Sequence, residues 1–305
     1  MGPFKMIKHT GIAVFALAFA GMAATAQAGY YVLPYAQLES QLYDPVTGTF
    51  TPQPGYQVSN GYEANGATSK QTTLSDADGR NAFASVDLAS GELKASAGAT
   101  GGTRGASANA IFGDTVTIAG GAGTTWDFNI ALDGNFEFEF GGPTGGPPTS
   151  GYTNYDVTLA IYRAGDTTNN TWATSDVGSA VFFQSINNFN PSIDLENPLI
   201  SISEMIASSI VLDSDLEVFE IYARIVTGGS TSTYDGITSF LADFSHTATL
   251  GFDFADGVSA YSDSGALLGL GKYSPPTTDV PTPGSFALLG SGLLAGALFR
   301  RRRHA

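Results

Sequence analysis

Apolar residues recur at every second position along much of this chain, the period of a strand with one face against a core. Trp126, Phe128, Ile130 and Leu132 alternate with Asp127, Asn129, Ala131 and Asp133. Gly134-Asn135 follows, and then Phe136, Phe138 and Phe140 alternate with Glu137 and Glu139. The pattern predicts a hairpin turning at Gly134-Asn135, aromatic on one face and acidic on the other. Val157, Leu159 and Ile161 alternate with Asp156, Thr158 and Ala160, and Phe219, Ile221, Ala223 and Ile225 with Glu220, Tyr222 and Arg224. Further strands are predicted at Phe83 to Leu88, Leu93 to Ala97, Ser107 to Phe112, Thr115 to Ile118, Ala180 to Ser185 and Thr247 to Phe254. Turns are predicted at Ser90-Gly91, Gly101-Gly102, Gly120-Gly121, Gly141 to Gly146 and Gly228-Gly229. One helix candidate, Pro198 to Leu212, puts Ile202, Met205, Ile206 and Ser209 on one face, while its serines suit a loop and a strand equally. Enrichment in Thr, Val, Phe and Tyr fits a pleated, half-buried surface. The expected fold is all-β: an antiparallel β-sandwich, jelly-roll-like.

The two ends break this period. Lys5 and Lys8 form a basic region, Ile12 to Ala20 an apolar one, and Ala26-Gln27-Ala28 a small-residue cleavage site, the three parts of a signal peptide over residues 1–28. Cleavage after Ala28 leaves Gly29 as the mature N-terminus, and 29–279 is the expected ectodomain. Residues 280–305 read as Val280-Pro281-Thr282-Pro283, a short apolar run, and then Arg300, Arg301, Arg302 and Arg303. From Gly284 to Phe299 a helix spans about 24 Å, short of the roughly 30 Å hydrocarbon core. Gly292 and Gly296 give the small-xxx-small spacing that lets another helix approach closely. The arginines stay on the cytoplasmic side, and Pro281 and Pro283 keep the stretch before the membrane extended. A short, weak anchor beside an extended segment suits a transient enzyme substrate.

This tail resembles the PEP-CTERM signal, which exosortase enzymes of bacterial envelopes recognise and process. Thr282 stands where the family usually has glutamate. Two internal stretches, Phe83 to Phe112 and Ser245 to Gly269, are similar to stretches common in PEP-CTERM ectodomains, which mostly have no assigned activity. The resemblance implies export, cleavage by signal peptidase and a transient stay in the inner membrane. It further implies sorting by an exosortase-type enzyme and residence at the cell surface or in the extracellular matrix.

Setting the ends aside sharpens the charge. Six of the 13 basic residues lie in them and all 28 acids lie between them, which leaves 7 basic residues and a net charge of −21. Such a surface repels nucleic acid and anionic lipid and favours cation uptake. Disorder is excluded by a 43% hydrophobic composition with 20 Phe and 13 Tyr. The absence of cysteine removes disulfides, zinc–thiolate sites and cysteine nucleophiles.

Signals for chemistry are sparse. His246 is the one histidine between the processed ends, so a histidine metal cluster is ruled out, and no Gly-x-Ser-x-Gly elbow accompanies it for a catalytic triad. Glu137 with Glu139 and Asp213 with Asp215 are acid pairs of the kind a glycosidase needs, but on a strand the first pair forms a solvated stripe opposite the aromatic face. Gly98 to Gly105 lacks the Gly-Lys-Ser/Thr of a phosphate loop. No cofactor is firmly indicated; calcium is the metal the residues best suit, with Asp76, Asp78, Asp253 and Asp256 flanking glycine turns as candidate ligands. Three roles follow. The first is a non-catalytic structural or adhesive protein of the surface or matrix, associated with exopolysaccharide or biofilm. The second is a secreted carbohydrate-binding module using Tyr30, Tyr31, Tyr35, Trp126 or Trp172. The third is a secreted glycoside hydrolase using carboxylates.

Overall fold

Alternation alone builds strands, but which strands pair depends on where each face finds cover. The computed structural model describes residues 29–39, 41–44, 49–52, 55–102, 104–141, 153–164, 180–189, 198–231 and 236–272. The predicted signal peptide, the sorting tail and Trp172 lie outside them. The described strands are, in chain order, β1 (Tyr31–Glu39), β2 (Gln41–Asp44), β3 (Thr49–Pro52), β4 (Gln57–Asn60), β5 (Glu63–Ala64), β6 (Ser69–Ser75), β7 (Asn81–Asp87) and β8 (Glu92–Thr100). They continue with β9 (Gly105–Ala119), β10 (Thr125–Phe140), β11 (Thr153–Arg163), β12 (Phe182–Phe189), β13 (Leu199–Val211), β14 (Leu216–Ser230), β15 (Ile237–Phe254) and β16 (Ser259–Ser262). No α-helix occurs among the described residues; a single 3₁₀ turn covers Leu267–Gly269.

Every pairing is antiparallel. The larger sheet runs β12-β11-β14-β9-β1-β4, with β5 beside β1 and β16 beside β9; the smaller runs β13-β10-β15-β8-β7-β6, and β2 and β3 form a separate ribbon. Inward residues of the two large sheets make one continuous core, with β8 packed against β9 and β14 and with β6 and β7 packed against β1. This is the expected all-β sandwich.

The core is not uniform. Around β10 it is aromatic: the Trp126 ring lies 5.3 Å from Phe219 of the facing sheet and 5.1 Å from Phe252, while Phe128 stands edge-on to Phe182 at 4.8 Å. Further along β10, Phe136 meets Tyr155 at 6.1 Å and Phe244 at 5.4 Å. Phe128 and Phe138 are buried as expected, and Glu137 and Glu139 are exposed. Around β7, β8 and the first half of β9 the core is instead lined by Ala82, Ala84, Ala95, Ala97, Ala106 and Ala108, with Val86, Leu88 and Leu93 among them.

Four local expectations change. No hairpin forms at Gly134-Asn135: β10 is one 16-residue strand running through both residues. Gly134 sits on the inward parity, where a Cβ would collide with the ring of Phe244 on the neighbouring β15, so the glycine admits a ring and does not reverse the chain. Ser107 to Phe112 and Thr115 to Ile118 are one strand, β9, whose Gly113 lies under Tyr31 in the same way. Gly228-Gly229 lies inside β14, opposite Ser107 and Ala106 of β9, and not in a turn. The helix candidate is strand β13: Ile200, Ile202, Ile206 and Ile210 all occupy the alternating inward positions against β10, and that period of two prevails over the helical spacing. Strands β1 and β4 to β6 add an N-terminal region to the expected set.

Candidate functional site: a tyrosine-rich sheet face

The outer face of the larger sheet gathers side chains that local patterning marks only as polar. Odd residues of β1 and β9 and even residues of β11 and β14 share it by register. Tyr31, Gly113 and Tyr222 line up across β1, β9 and β14, and Tyr162 and Thr115 flank Glu220 one step along. Tyr62, from the loop after β4, brings its ring to 6.3 Å from that of Tyr31. Burial, followed by the nearby Tyr222, Tyr62, Glu220 and Tyr162, raises the Tyr31 hydroxyl well above the ordinary tyrosine range. Tyr222 is raised by burial as well, against the lowering pull of Arg224. These rings are half-buried, so each offers part of an aromatic surface.

Ionic and amide groups frame the tyrosines. Arg224 donates to Asp156 Oδ1 at 2.9 Å, and Thr158 donates to the same oxygen at 2.6 Å. Burial opposes the Arg224 charge, but Tyr222 and Asp156 outweigh it and hold its pKa above the ordinary value. Tyr35 donates to Gln37 Oε1 at 2.6 Å, and Gln37 Nε2 donates to Glu39 Oε1 at 2.9 Å. Between Tyr35 and Val226 lies Asn109, 8% exposed, whose Oδ1 has no hydrogen-bond partner. A buried amide oxygen without a donor is costly unless something supplies one. Asn109 is four residues along β9 from Gly113, about 13 Å. The face therefore combines ring surfaces and hydroxyls with a buried, unpaired acceptor over the length of a few sugar units.

Of the residues expected to stack on sugars, Tyr31 and Tyr35 lie on this face. Tyr30 ties down the strand entrance, donating from its hydroxyl to the Gly66 carbonyl at 2.8 Å. Trp126 is fully buried in the aromatic core and presents no face to a ligand. The alternation of Glu220, Tyr222 and Arg224 was a legible signal for the outer face, whereas Tyr162 joins it through register and Tyr62 from a loop.

The remaining candidates are apart from it and from one another. Asp76 and Asp78 shape the turn before β7. Asp76 Oδ1 accepts from the Asp78 and Arg80 backbone N–H groups, both at 3.0 Å, and Oδ2 from Arg80 Nε at 2.6 Å. Arg80 is itself buried and donates to the carbonyls of Glu39 and Gly55, so it pins this turn to the β1 end and to Gly55. Asp253 and Asp256 are exposed, and Asp253 stands directly opposite Asp127 of β10. No group of three or more metal-ligating side chains occurs among the described residues. His246 is exposed in a bulge of β15. Asp213 and Glu217 both engage Arg163, whose guanidinium lies 5.5 Å from the centre of the Phe219 ring.

One further acid is unusual. Asp114, 2% exposed on β9, is pushed up to about 6 by burial, against hydrogen bonds from Ser264 and the Thr115 backbone that lower it. Ser264 Oγ donates to Asp114 Oδ2 at 2.5 Å and accepts from the Ala266 and Leu267 N–H groups at 3.0 and 3.2 Å. With its proton and lone pairs so engaged, Ser264 anchors the segment after β16 to β9 and is not presented as a nucleophile.

No family model matches the chain, and neither does any curated protein sequence. Among solved structures the chain is similar to the enzymatically active domain of the bacteriophage CBA120 tailspike protein 4, at 8% identity and a TM-score of 0.22 over 61% of this chain and 20% of that one. At that score the likeness carries no argument about fold or activity.

Proposed function

We propose that this chain is an exported, non-catalytic protein of the cell surface or extracellular matrix, sorted through a PEP-CTERM-like tail, that holds extracellular polysaccharide on its tyrosine-rich face. The observation that carries the reading is the group of half-buried tyrosines, Tyr31, Tyr62, Tyr162 and Tyr222, on one sheet face. Rings and hydroxyls together suit sugars, which present apolar C–H faces and polar edges. The tail supports the address: Val280, Pro281, Thr282 and Pro283, then the apolar run, then Arg300 to Arg303. The ectodomain is read as jelly-roll-like because, from β8 onward, the chain changes sheet at every connection except β11 to β12.

Two measurements test the reading. Mass spectrometry of the mature protein is expected to show a start at Gly29 and loss of everything beyond the Pro281 region; a mature form retaining Arg300 to Arg303 refutes the sorting step. Co-sedimentation with the producing cell's exopolysaccharide is expected to weaken about fivefold in Tyr222→Ala, the scale of one lost stacking contact. Unchanged binding removes the tyrosine face from the reading.

A further inference from the structure

β13 forms one edge of the smaller sheet, paired with β10 on one side only among the described residues. Natural edge strands are usually short, bulged, charged or interrupted by proline, because a bare edge is a template for another strand. The opposite edge of the same sheet conforms: β6 has seven residues and carries Lys70, which is ion-paired to Glu63. β13 has a single such device, the charge of Glu204 at an inward position. It is 13 residues long, holds unbroken register with β10, lacks proline and lysine, and bears one charge, Glu204. Its outward positions present Leu199, Met205 and Val211 at 46%, 63% and 59% exposure.

The strand also complements itself. Laid antiparallel on a second copy and centred on Met205, it sets Leu199 opposite Val211, Ile200 opposite Ile210, Ser201 opposite Ser209, and Ser203 opposite Ala207. Met205 meets Met205 on the two-fold axis. Glu204 falls opposite Ile206, so the two carboxylates are offset along the strands and not face to face. From this edge we propose that β13 is a docking strand for a second copy of this chain, joining two smaller sheets into one across a two-fold axis. Backbone hydrogen bonds supply the attraction and the matched exposed side chains supply the register. The net charge of −15 on each full chain opposes association, so the dimer tightens as salt rises. The inference deepens the matrix role, since a polysaccharide-holding protein that pairs can cross-link strands of the polymer.

Sedimentation equilibrium of the full chain in detergent tests it, using Met205→Lys and Met205→Glu separately and mixed. Met205 is largely exposed, so both variants are expected to melt with the parent. Each alone places like charges on the axis and is expected to weaken dimerisation about tenfold, while the equimolar mixture places opposite charges there and restores it. A monomeric parent overturns the proposal. So does a dimer insensitive to both variants, which assigns the pairing to the Gly292–Gly296 spacing of the tail shared by all samples. Export and tail loss are independent of Met205, so a monomer that is still sorted removes this inference alone.

Discussion

The aromatic and the alanine-lined parts of the core solve the same packing problem with opposite materials. Around β10, few large rings fill the space between the sheets, and Trp126, Phe219, Phe252 and Phe254 contact one another across strands and across the sandwich. Around β7 and β8, methyl groups do so, and each contributes little area. The first region concentrates its stability in a handful of side chains. The second spreads it over ladder hydrogen bonds and many small contacts. One is therefore sensitive to loss of volume and the other to gain of it.

The largest effect should come from emptying the aromatic region. Trp126→Ala or Phe128→Ala is expected to cost about 3 to 5 kcal/mol in urea denaturation, because neither site can collapse between two sheets. A cost below about 1 kcal/mol would erase the distinction between the regions.

Asp114 lies on β9 between its alanine-bearing first half and the Val116 and Ile118 that follow, and it tests the same contrast through charge. Its folded pKa is raised, so the folded state holds a proton that the unfolded state has released. Its contribution is thus fully present below about 3.8 and is lost as pH rises through about 6. Asp114→Asn is expected to remove that loss, by about 3 kcal/mol. Thermal melts of parent and variant across this window should diverge as pH rises, the variant being the less pH-sensitive; parallel curves would place the proton elsewhere.

Ala97→Leu probes the other material. Ala97 is fully buried, with Ala82 and Ala242 opposite it on the neighbouring strands. Overpacking is expected to cost about 1 to 3 kcal/mol. An unchanged melting temperature would mean that the alanine region has spare room. The smallest effect belongs to the outer surface: Asp127→Asn separates the charge pair facing Asp253 and is expected to stabilise by about 0.2 to 1 kcal/mol at low salt, fading as salt is added.

Period-two patterning carried the fold class, the inward faces of β10, β11 and β14, and the burial of Phe128 and Phe138. It failed where a glycine interrupts the pattern. A turn glycine and a glycine that receives a neighbour's ring are locally identical, and Gly134 is told apart only by Phe244 on another strand. Serine-rich β13 offered both a helical and an alternating set of isoleucines, and the partner strand β10 decided between them. The tyrosine face was half legible. Tyr31 and Tyr35 stood out as aromatic residues near the mature N-terminus and Tyr222 by its alternation, but Tyr162 joins them through a register that no local window contains and Tyr62 through a loop.

The bulge at His246 keeps the two halves of β15 on one face. Between the pairs Leu132–Ala248 and Asn135–Asp243, β15 uses two more residues than β10, and it does the same against β8 between Leu93 and Ala95. An even surplus returns the strand to the face it left, which is why Phe240, Ala242 and Phe244 on one side and Ala248 and Leu250 on the other all point inward. A one-residue surplus is absorbed differently: between Glu139–Ser239 and Phe140–Ile237 β15 uses one residue more than β10, and the inward positions pass from Phe240 to Ile237. The two-residue surplus at Ser245–Thr247 therefore keeps one inward parity from Phe240 to Leu250, whereas the one-residue surplus near Ile237 changes it.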